Sequence, residues 1–399
     1  MDQRTGLPIV GIIGAGQLAR MMHQAAIPLG QSPRILADSP DDGAAVVARD
    51  VVVGDYRDLA DLRRFAEGCD VVTFDHEHVP SGHIRALAAE GSTVLPSADA
   101  LRFAQDKAAM RERLGGLGLP CPAWSRLDGG PDGPGGLAAV EALAAEHGWP
   151  VVLKAISGGY DGKGVWVVAT AEEAQTVIRD AAANGIDLMA EQAVPIVREL
   201  AAVVARSPFG QGAAWPVVET VQREGICVEV LAPASGLAEE AADEAQKLAL
   251  RIAVELDVVG VLAVELFEIA DGSLIINELA MRPHNSAHWT IEGSRTSQFE
   301  QHLRAVLDYP LGSPELAAPV VVMANVLGGP DDVQPAGIDE RVHHCMARWP
   351  DVKIHLYGKG FRPGRKVGHV TALGDDLAVV RARARAAADY LSLGGPDDH

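Results

Sequence analysis

From Pro8 to Val94 short apolar runs alternate with helical ones: PIVGIIG, RILADS, VVVGDY and DVVTFD read as strands, with LARMMHQAAIPLG and LADLRRFAEG as helices among them. Nearly continuous apolar strands separated by helices predict a parallel sheet covered on both faces, hence a doubly wound α/β domain ending near Ala104. The Gly/Pro-rich stretch Asp128 to Gly136 reads as exposed loop. Beyond it, VVLKAISGGYDGKGVWVV gives two strand-like runs joined by a glycine turn, followed by helical EEAQTVIRDAAANG and the strand-like LMAEQAV, ELAAVVARS and AWPVVETV. A long helix over Glu239 to Glu255 leads into VVGVLAVELFEIADGSLIINELAMR. Hairpins mixed with helices predict an α+β domain with antiparallel sheet. The last part opens with VVVMANVL, carries the basic strand-loop HLYGKGFRPGRKVGHVTAL and closes on a helix from about Asp376 to Leu391, and no segment repeats another.

Composition narrows the class. At 399 residues the chain exceeds one ordinary core and predicts two or three domains. Hydrophobic residues at 48% and charged residues at 22% argue against disorder and fibrous repeats. A formal charge of −20 repels a phosphate backbone over most of the surface, so nucleic acid is not an expected partner. Screening confines that field to about 10 Å, which leaves room for a local basic pocket holding one phosphorylated ligand. Cys69, Cys121, Cys227 and Cys345 form no CxxC pair, so neither zinc nor a disulfide framework is expected. No basic leader precedes the apolar run Leu7 to Ile13, and no stretch nears the roughly 20 apolar residues that cross a bilayer. A cytoplasmic location is the expectation.

Five segments carry candidate chemistry. Gly14-Ala15-Gly16-Gln17-Leu18-Ala19 is a GxGxxA turn between the first strand and first helix, with Asp38 placed 22 residues after Gly16. It fits a phosphate at a helix N-terminus with an acid on a ribose, or glycines that merely permit tight strand–helix packing. A phosphate is the expectation here. Lys154, then Ser157 through Gly164, fails the P-loop pattern, because Lys163 is followed by Gly164 and not by Ser or Thr. Between two strands, such a glycine loop can close over a triphosphate as a lid. In AVELFEIADGSLIINEL, Asp271-Gly272 is a favoured two-residue hairpin turn. If Ala270 pairs with Ser273, Glu265 falls opposite Glu278, with Ala263, Phe267 and Ile276 as apolar neighbours on that face. Facing carboxylates repel unless a cation or proton compensates, and hard oxygen ligands suit magnesium. Arg282, His284, Asn285 and His288 follow directly, as candidate substrate contacts. Lys359, Arg362, Arg365, Lys366 and His369 concentrate positive charge on an acidic chain and predict a pocket for a substrate phosphate.

Together these residues resemble the ATP-grasp superfamily and, more narrowly, the N5-carboxyaminoimidazole ribonucleotide synthase family. GIIGAGQLARMM, VVTFDHEHVP, FAQDKAAMRERL, PVVLKAISGGYDGKGV, AEQAVPIVREL, INELAMRPHNSAHWT and HLYGKGFRPGRKVGHV stand in the family's order over nearly the whole chain. RPHNS with YGK and GRKxGH separates this family from other ATP-grasp ligases. Asp75-His76 departs from the Glu-Phe pair usual before the position of Glu77. The resemblance implies an α/β and α+β ATP-grasp architecture: a Rossmann-like pre-ATP-grasp domain over 1–104, an ATP-grasp domain over 105–308 with a lid at about 122–194, and a small C-terminal domain over 309–399, assembled as a homodimer.

The resemblance also implies site residues. Lys107 and Lys154 would contact ATP phosphates, and the loop Gly159, Tyr160, Asp161, Gly162, Lys163, Gly164, Val165 would cover them. Glu191, Gln192, Ala193 and Val194 would supply the adenine hinge, with Glu199 on the ribose and Gln222 beside the nucleotide. Glu265 and Glu278 would bind Mg2+, or Mn2+ in its place, with Asn277 nearby. Aminoimidazole ribonucleotide would contact Gly16, Gln17, Leu18, Glu77, Tyr160, Asp161, Arg282, His284, Asn285, Lys359, Arg365 and Lys366. Asp161, Lys163, Arg282, His284 and Asn285 would be the catalytic set, with Asp161 orienting or deprotonating the amine. The implied reaction is ATP-dependent carboxylation by bicarbonate through carboxyphosphate. Three other readings stand beside it, one of them a noncatalytic nucleotide-binding or scaffold protein. An NAD-dependent oxidoreductase would explain the first glycine turn and Asp38 but not the second glycine loop or the paired acids. A formate-using ribonucleotide transformylase would share the ATP-grasp parts.

Overall fold

The computed structural model describes residues 1–127, 134–159, 162–329 and 337–394, without the side chains of 134 and 135. Most of the Gly/Pro-rich loop, together with Tyr160 and Asp161, lies outside the described residues. The N-terminal part runs β1 (Val10–Ile13), α1 (Gln17–Ala26), β2 (Arg34–Ala37), β3 (Asp50–Val53), α2 (Leu59–Ala66), β4 (Val71–Phe74), α3 (Ser81–Ala89) and α4 (Ala98–Gln105). Its strands are all parallel, in the order β3-β2-β1-β4, which is the doubly wound sheet expected from the apolar runs. α5 (Lys107–Gly116) leaves this domain, and Asp106 caps it by accepting from the Ala109 amide.

A small sheet follows from β5 (Trp124–Arg126), α6 (Pro134–His147), β6 (Val151–Ala155), β7 (Val165–Val168), α7 (Ala171–Ala183) and β8 (Leu188–Gln192), with strand order β5-β8-β6-β7. The chain then builds β9 (Ile196–Arg206), β10 (Gly212–Ala214), β11 (Val218–Arg223), β12 (Ile226–Ala232), α8 (Glu239–Glu255), β13 (Gly260–Ile269), β14 (Leu274–Ala280), α9 (Thr290–Gly293) and α10 (Gln298–Val306). It ends with β15 (Val320–Leu327), α11 (Ile338–Arg348), β16 (Lys353–Leu356), β17 (Lys366–Gly374) and α12 (Leu377–Leu393). The last strands do not form a separate sheet. β12 pairs antiparallel with β15, so one sheet runs β14-β13-β9-β11-β12-β15-β17-β16, with β10 beside β9.

One face of this sheet, through Leu200, Val204, Leu262, Val264 and Leu266, shares a core with α8 and with Phe65, Leu87 and Leu114 of the N-terminal region. α10 packs against α1 on the other side of the N-terminal sheet, through Phe299, Leu303 and Val306. His302 joins the two sheets. The Val261 amide donates to its Nδ1 at 3.1 Å, which leaves Nε2–H to donate to the Thr73 hydroxyl at 2.8 Å. Burial without charge compensation lowers the His302 pKa to about 4, so the ring is neutral.

The β13–β14 hairpin corrects one expectation while keeping its consequence. The loop has three residues, because Ile269 and Ser273 close it through Ile269 N–H donating to the Ser273 carbonyl, with Gly272 at φ +82°. The expected Ala270–Ser273 pairing is therefore displaced by one. A bulge at Asn277 restores the register: Leu266 faces Ile276, Asn277 has no strand partner, and Glu265 faces Glu278. The bulge also moves Ile276 to the opposite face, into the core with Val264 and Leu266, so it is not a neighbour of the glutamates.

Candidate active site

α5 brings two cations to the bulge, one turn apart. Lys107 pairs with Glu278, and Arg111 donates from Nη2 to the Asn277 carbonyl at 2.7 Å. Arg111 also bonds Glu191 Oε1 at 2.6 Å, and the other Glu191 oxygen takes Lys154 Nζ at 2.7 Å. Lys154 reaches across from β6 to Asn277 Oδ1 at 3.0 Å. Burial alone raises the pKa of Glu191, but Lys154 and Arg111 outweigh it and hold this carboxylate below its usual range. The segment Glu191, Gln192, Ala193, Val194 links the small sheet to β9, and Val165 pairs with Lys154 at the start of β7.

Glu265 lies between negative neighbours. Burial, then Glu278, then Glu199 push its carboxyl up to about 7, partly offset by Lys107 and by a hydrogen bond from Asn277. Asn277 Nδ2 donates to Glu265 Oε2 at 3.2 Å, and His284 Nε2 stands 3.4 Å from Oε1. Glu199, on β9, is raised by burial and hydrogen-bonded by Gln222 of β11. Two glutamates and an amide oxygen suit magnesium, which completes its shell with water and phosphate oxygens. The described residues contain no group of three His, Cys, Asp or Glu able to hold an ion by themselves.

The turn after β14 supplies the next wall. Glu77 accepts from the Met281 amide at 2.7 Å and pairs with Arg282 at 3.3 Å, joining this turn to the end of β4. Burial, then Arg282 and Lys366, lower the His284 pKa to about 3, so the ring acts as a neutral hydrogen-bonding group. Gln298 was not legible from the sequence. It accepts from the His284 amide at 2.7 Å and donates to the His284 carbonyl at 2.8 Å, fixing the backbone that presents the imidazole. Both polar side-chain atoms of Asn285 are buried without a hydrogen-bond partner among the described residues. His288 is fully buried and receives a bond from Gln298, which makes it a structural residue.

The glycine turn departs from expectation. The Gly16 amide donates to Asp75 Oδ2 at 2.6 Å, so the protein's own carboxylate holds the N-terminus of α1. A Cβ on Gly14 would lie 1.9 Å from Asp75 Oδ1, and one on Gly16 would lie 2.8 Å from Oδ2. The glycines therefore make room for Asp75, which takes the Gly16 amide, while Gly14, Ala15 and Gly16 also line the cavity beside the turn. Leu18 packs into the core, and Gln17 bonds Lys359. Beside the turn lies a cavity of roughly 430 Å³, lined by Asp38, Tyr56, His76, Lys359 and Arg365 among others. The basic segment thus divides. Lys359 and Arg365 face this cavity, whereas Lys366 lies close enough to His284 and Cys227 to act on both. His369 is fully buried, bonds Tyr357 Oη at 2.7 Å and stacks on His355, with its pKa pushed far down by burial. It adds no positive charge to the pocket.

The glycine loop crosses to the β11–β12 hairpin, where a Cβ on Gly162 would come within 3.2 Å of Gly225 Cα. Gly162 and Gly164 adopt φ +75° and +78°, conformations that require glycine.

Residues 7–105 match the ribonucleotide synthetase preATP-grasp domain, 114–299 the ATP-grasp domain, and 321–383 the phosphoribosylaminoimidazole carboxylase C-terminal domain. The chain is 56% identical over 389 residues to the N5-carboxyaminoimidazole ribonucleotide synthase of Mycobacterium tuberculosis, covering 97% of this chain and 88% of that protein. It superposes on the N5-carboxyaminoimidazole ribonucleotide synthetase of Thermus thermophilus with TM-score 0.83 and 37% identity, covering 98% of this chain and 100% of the other. The Aspergillus clavatus N5-carboxyaminoimidazole synthase in complex with ADP and 5-aminoimidazole ribonucleotide gives TM-score 0.85 at 31% identity, covering 96% and 98%. Among the described residues no helix is long and apolar enough to cross a membrane.

Proposed function

The chain belongs to the N5-carboxyaminoimidazole ribonucleotide synthases of the ATP-grasp superfamily, and from that premise we propose which of its residues carry the reaction. It is an ATP-dependent carbon–nitrogen ligase that carboxylates 5-aminoimidazole ribonucleotide in purine biosynthesis. A bicarbonate oxygen attacks the γ-phosphorus and ADP leaves. The exocyclic amine then takes the carboxyl group of carboxyphosphate, directly or as carbon dioxide, while phosphate departs and the amine loses one proton.

The observation that carries the assignment is the convergence of Lys107, Lys154, Asn277, Glu265 and Glu278 on one bulged hairpin beside Arg282 and His284. Lys107 and Lys154 hold the triphosphate, while Lys163 and the loop from Gly159 to Val165 close over it. Residues Glu191 to Val194 line the adenine, and Glu199 with Gln222 takes the ribose. Glu265 and Glu278, with Asn277 beside them, hold the magnesium, for which manganese can substitute. When bound, the metal draws charge from the transferring phosphoryl group. Neutral His284 and the unsatisfied amide of Asn285 hydrogen-bond the reacting carboxyl group without adding charge, and Arg282, oriented by Glu77, supplies the cation.

Lys359 and Arg365 hold the ribonucleotide phosphate, with Gln17 steering Lys359 and Lys366 facing the reacting end. With its backbone Gly16 lines the same cavity as Lys359 and Arg365, and Leu18, packed into the core, gives the substrate no side-chain contact. Tyr160 and Asp161 complete the substrate contacts, Asp161 taking the amine proton. The protein works in the cytoplasm as a homodimer, its domains dividing near 104 and 308. The test is ADP release with ATP and bicarbonate, with and without the ribonucleotide. Turnover that needs both supports the reading; turnover that accepts formate in place of bicarbonate overturns it.

A further inference from the structure

Arg111 lies outside every role described so far, yet it is the most deeply buried charge at the nucleotide end. Its side chain is 1% exposed and its partner Glu191 only 3%. Three features converge on it. Asn277 is the extra residue of the β14 bulge, so its carbonyl has no ladder partner, and Arg111 Nη2 supplies one at 2.7 Å. Glu191 is shared, one oxygen on Arg111 and the other on Lys154. Lys107 stands four residues earlier on the same helix and pairs with Glu278, so adjacent residues of the bulge are gripped from one helix face.

We propose that Arg111 is a positioning residue for ATP use: it holds open the bulge that turns Asn277 and Glu278 toward the nucleotide, and it engages Glu191 so that Lys154 keeps net charge for the phosphates. With Arg111 present, two cations share one carboxylate and the buried group carries one net positive charge. Without it, Glu191 and Lys154 form a closed neutral pair, and the bulge carbonyl is buried without a donor. Both losses fall on ATP and its metal, not on the ribonucleotide pocket at Lys359 and Arg365.

The inference rests on Lys154 and Glu278 being nucleotide and metal contacts, so Lys154→Met is measured alongside. Steady-state ADP release is followed for Arg111→Met and Arg111→Lys, varying Mg-ATP and then ribonucleotide. Arg111→Met is expected to raise the KM for ATP about ten-fold or more, with the KM for ribonucleotide within about two-fold of wild type. Arg111→Lys keeps the charge but cannot bond both partners, and its KM for ATP falls between the two. Should Arg111→Met fail to fold, Arg111→Lys decides, through a raised KM for ATP at unchanged KM for ribonucleotide. A lower melting temperature with wild-type KM for ATP in Arg111→Lys or folded Arg111→Met makes the residue purely structural and overturns the proposal. If Lys154→Met also leaves the KM for ATP unchanged, the nucleotide-site assignment itself has failed; if only the Arg111 variants do, the positioning role alone falls.

Discussion

Glu265→Gln should make the metal-free protein more stable and the enzyme nearly inactive. In the folded protein the Glu265 carboxyl is pushed from 4.5 to about 7 by burial first and then by Glu278. A raised carboxyl pKa disfavours the folded state wherever the unfolded chain has lost that proton. The penalty is absent below about pH 4.5, grows as pH rises and is complete above about pH 7. At pH 8 the shift corresponds to about 3 kcal/mol. Water reaches 32% of the side chain, so screening reduces this to roughly 1–2 kcal/mol. Glutamine keeps one acceptor oxygen, enough for Asn277 or His284 but not for both, and never ionises. Melting curves in EDTA should place the variant about 1–3 °C above wild type at pH 8, with the gap closing toward pH 5. Turnover with saturating substrates should fall by about 100-fold, or about 2.7 kcal/mol, because the magnesium anchor is lost. A variant less stable than wild type at pH 8, or one with near-normal turnover, would refute the facing-carboxylate account.

Three further outcomes are expected. Lys359→Ala or Arg365→Ala should raise the KM for ribonucleotide by roughly 10- to 150-fold, the cost of one charge-assisted phosphate contact, with far less effect on ATP in the same kinetic series. Gly14→Ala places a Cβ 1.9 Å from Asp75 at φ +103°, and should cost about 2 kcal/mol or more in chemical denaturation, whereas helical Gly115→Ala meets nothing and should be neutral or stabilising. His302, depressed to about 4, stays neutral in the fold while the unfolded chain takes up a proton. Its share of stability, about 2 kcal/mol, is lost as pH falls from 7 to 5, and His302→Gln should flatten the measured slope over that window.

The sheet classes were legible because strand runs and helical periods are local properties of the chain. The facing of Glu265 and Glu278 was also legible, though for an incomplete reason: a three-residue loop shifts the register by one and the Asn277 bulge shifts it back. Nothing in the local sequence announces a bulge whose carbonyl is satisfied by Arg111, a residue on another helix. Arg111 did leave a trace in its i, i+4 spacing from Lys107, whereas Gln298 left none. The GxGxxA turn was legible only in part, because glycines that admit a phosphate also admit a carboxylate, and Asp75 comes from a strand end 59 residues after Gly16. Density of positive charge in the C-terminal segment could not say which cations share a pocket, and His369 was lost to the buried seam with Tyr357 and His355.

The central claim is that bicarbonate, activated by ATP, becomes the carboxyl group placed on the ribonucleotide amine. Turnover with bicarbonate labelled in all three oxygens tests it directly, reading the released phosphate by phosphorus-31 NMR. Attack of bicarbonate on the γ-phosphorus carries one labelled oxygen into each phosphate. Labelled phosphate formed together with the carboxylated ribonucleotide is the predicted result, and unlabelled phosphate released during carboxylation would contradict it.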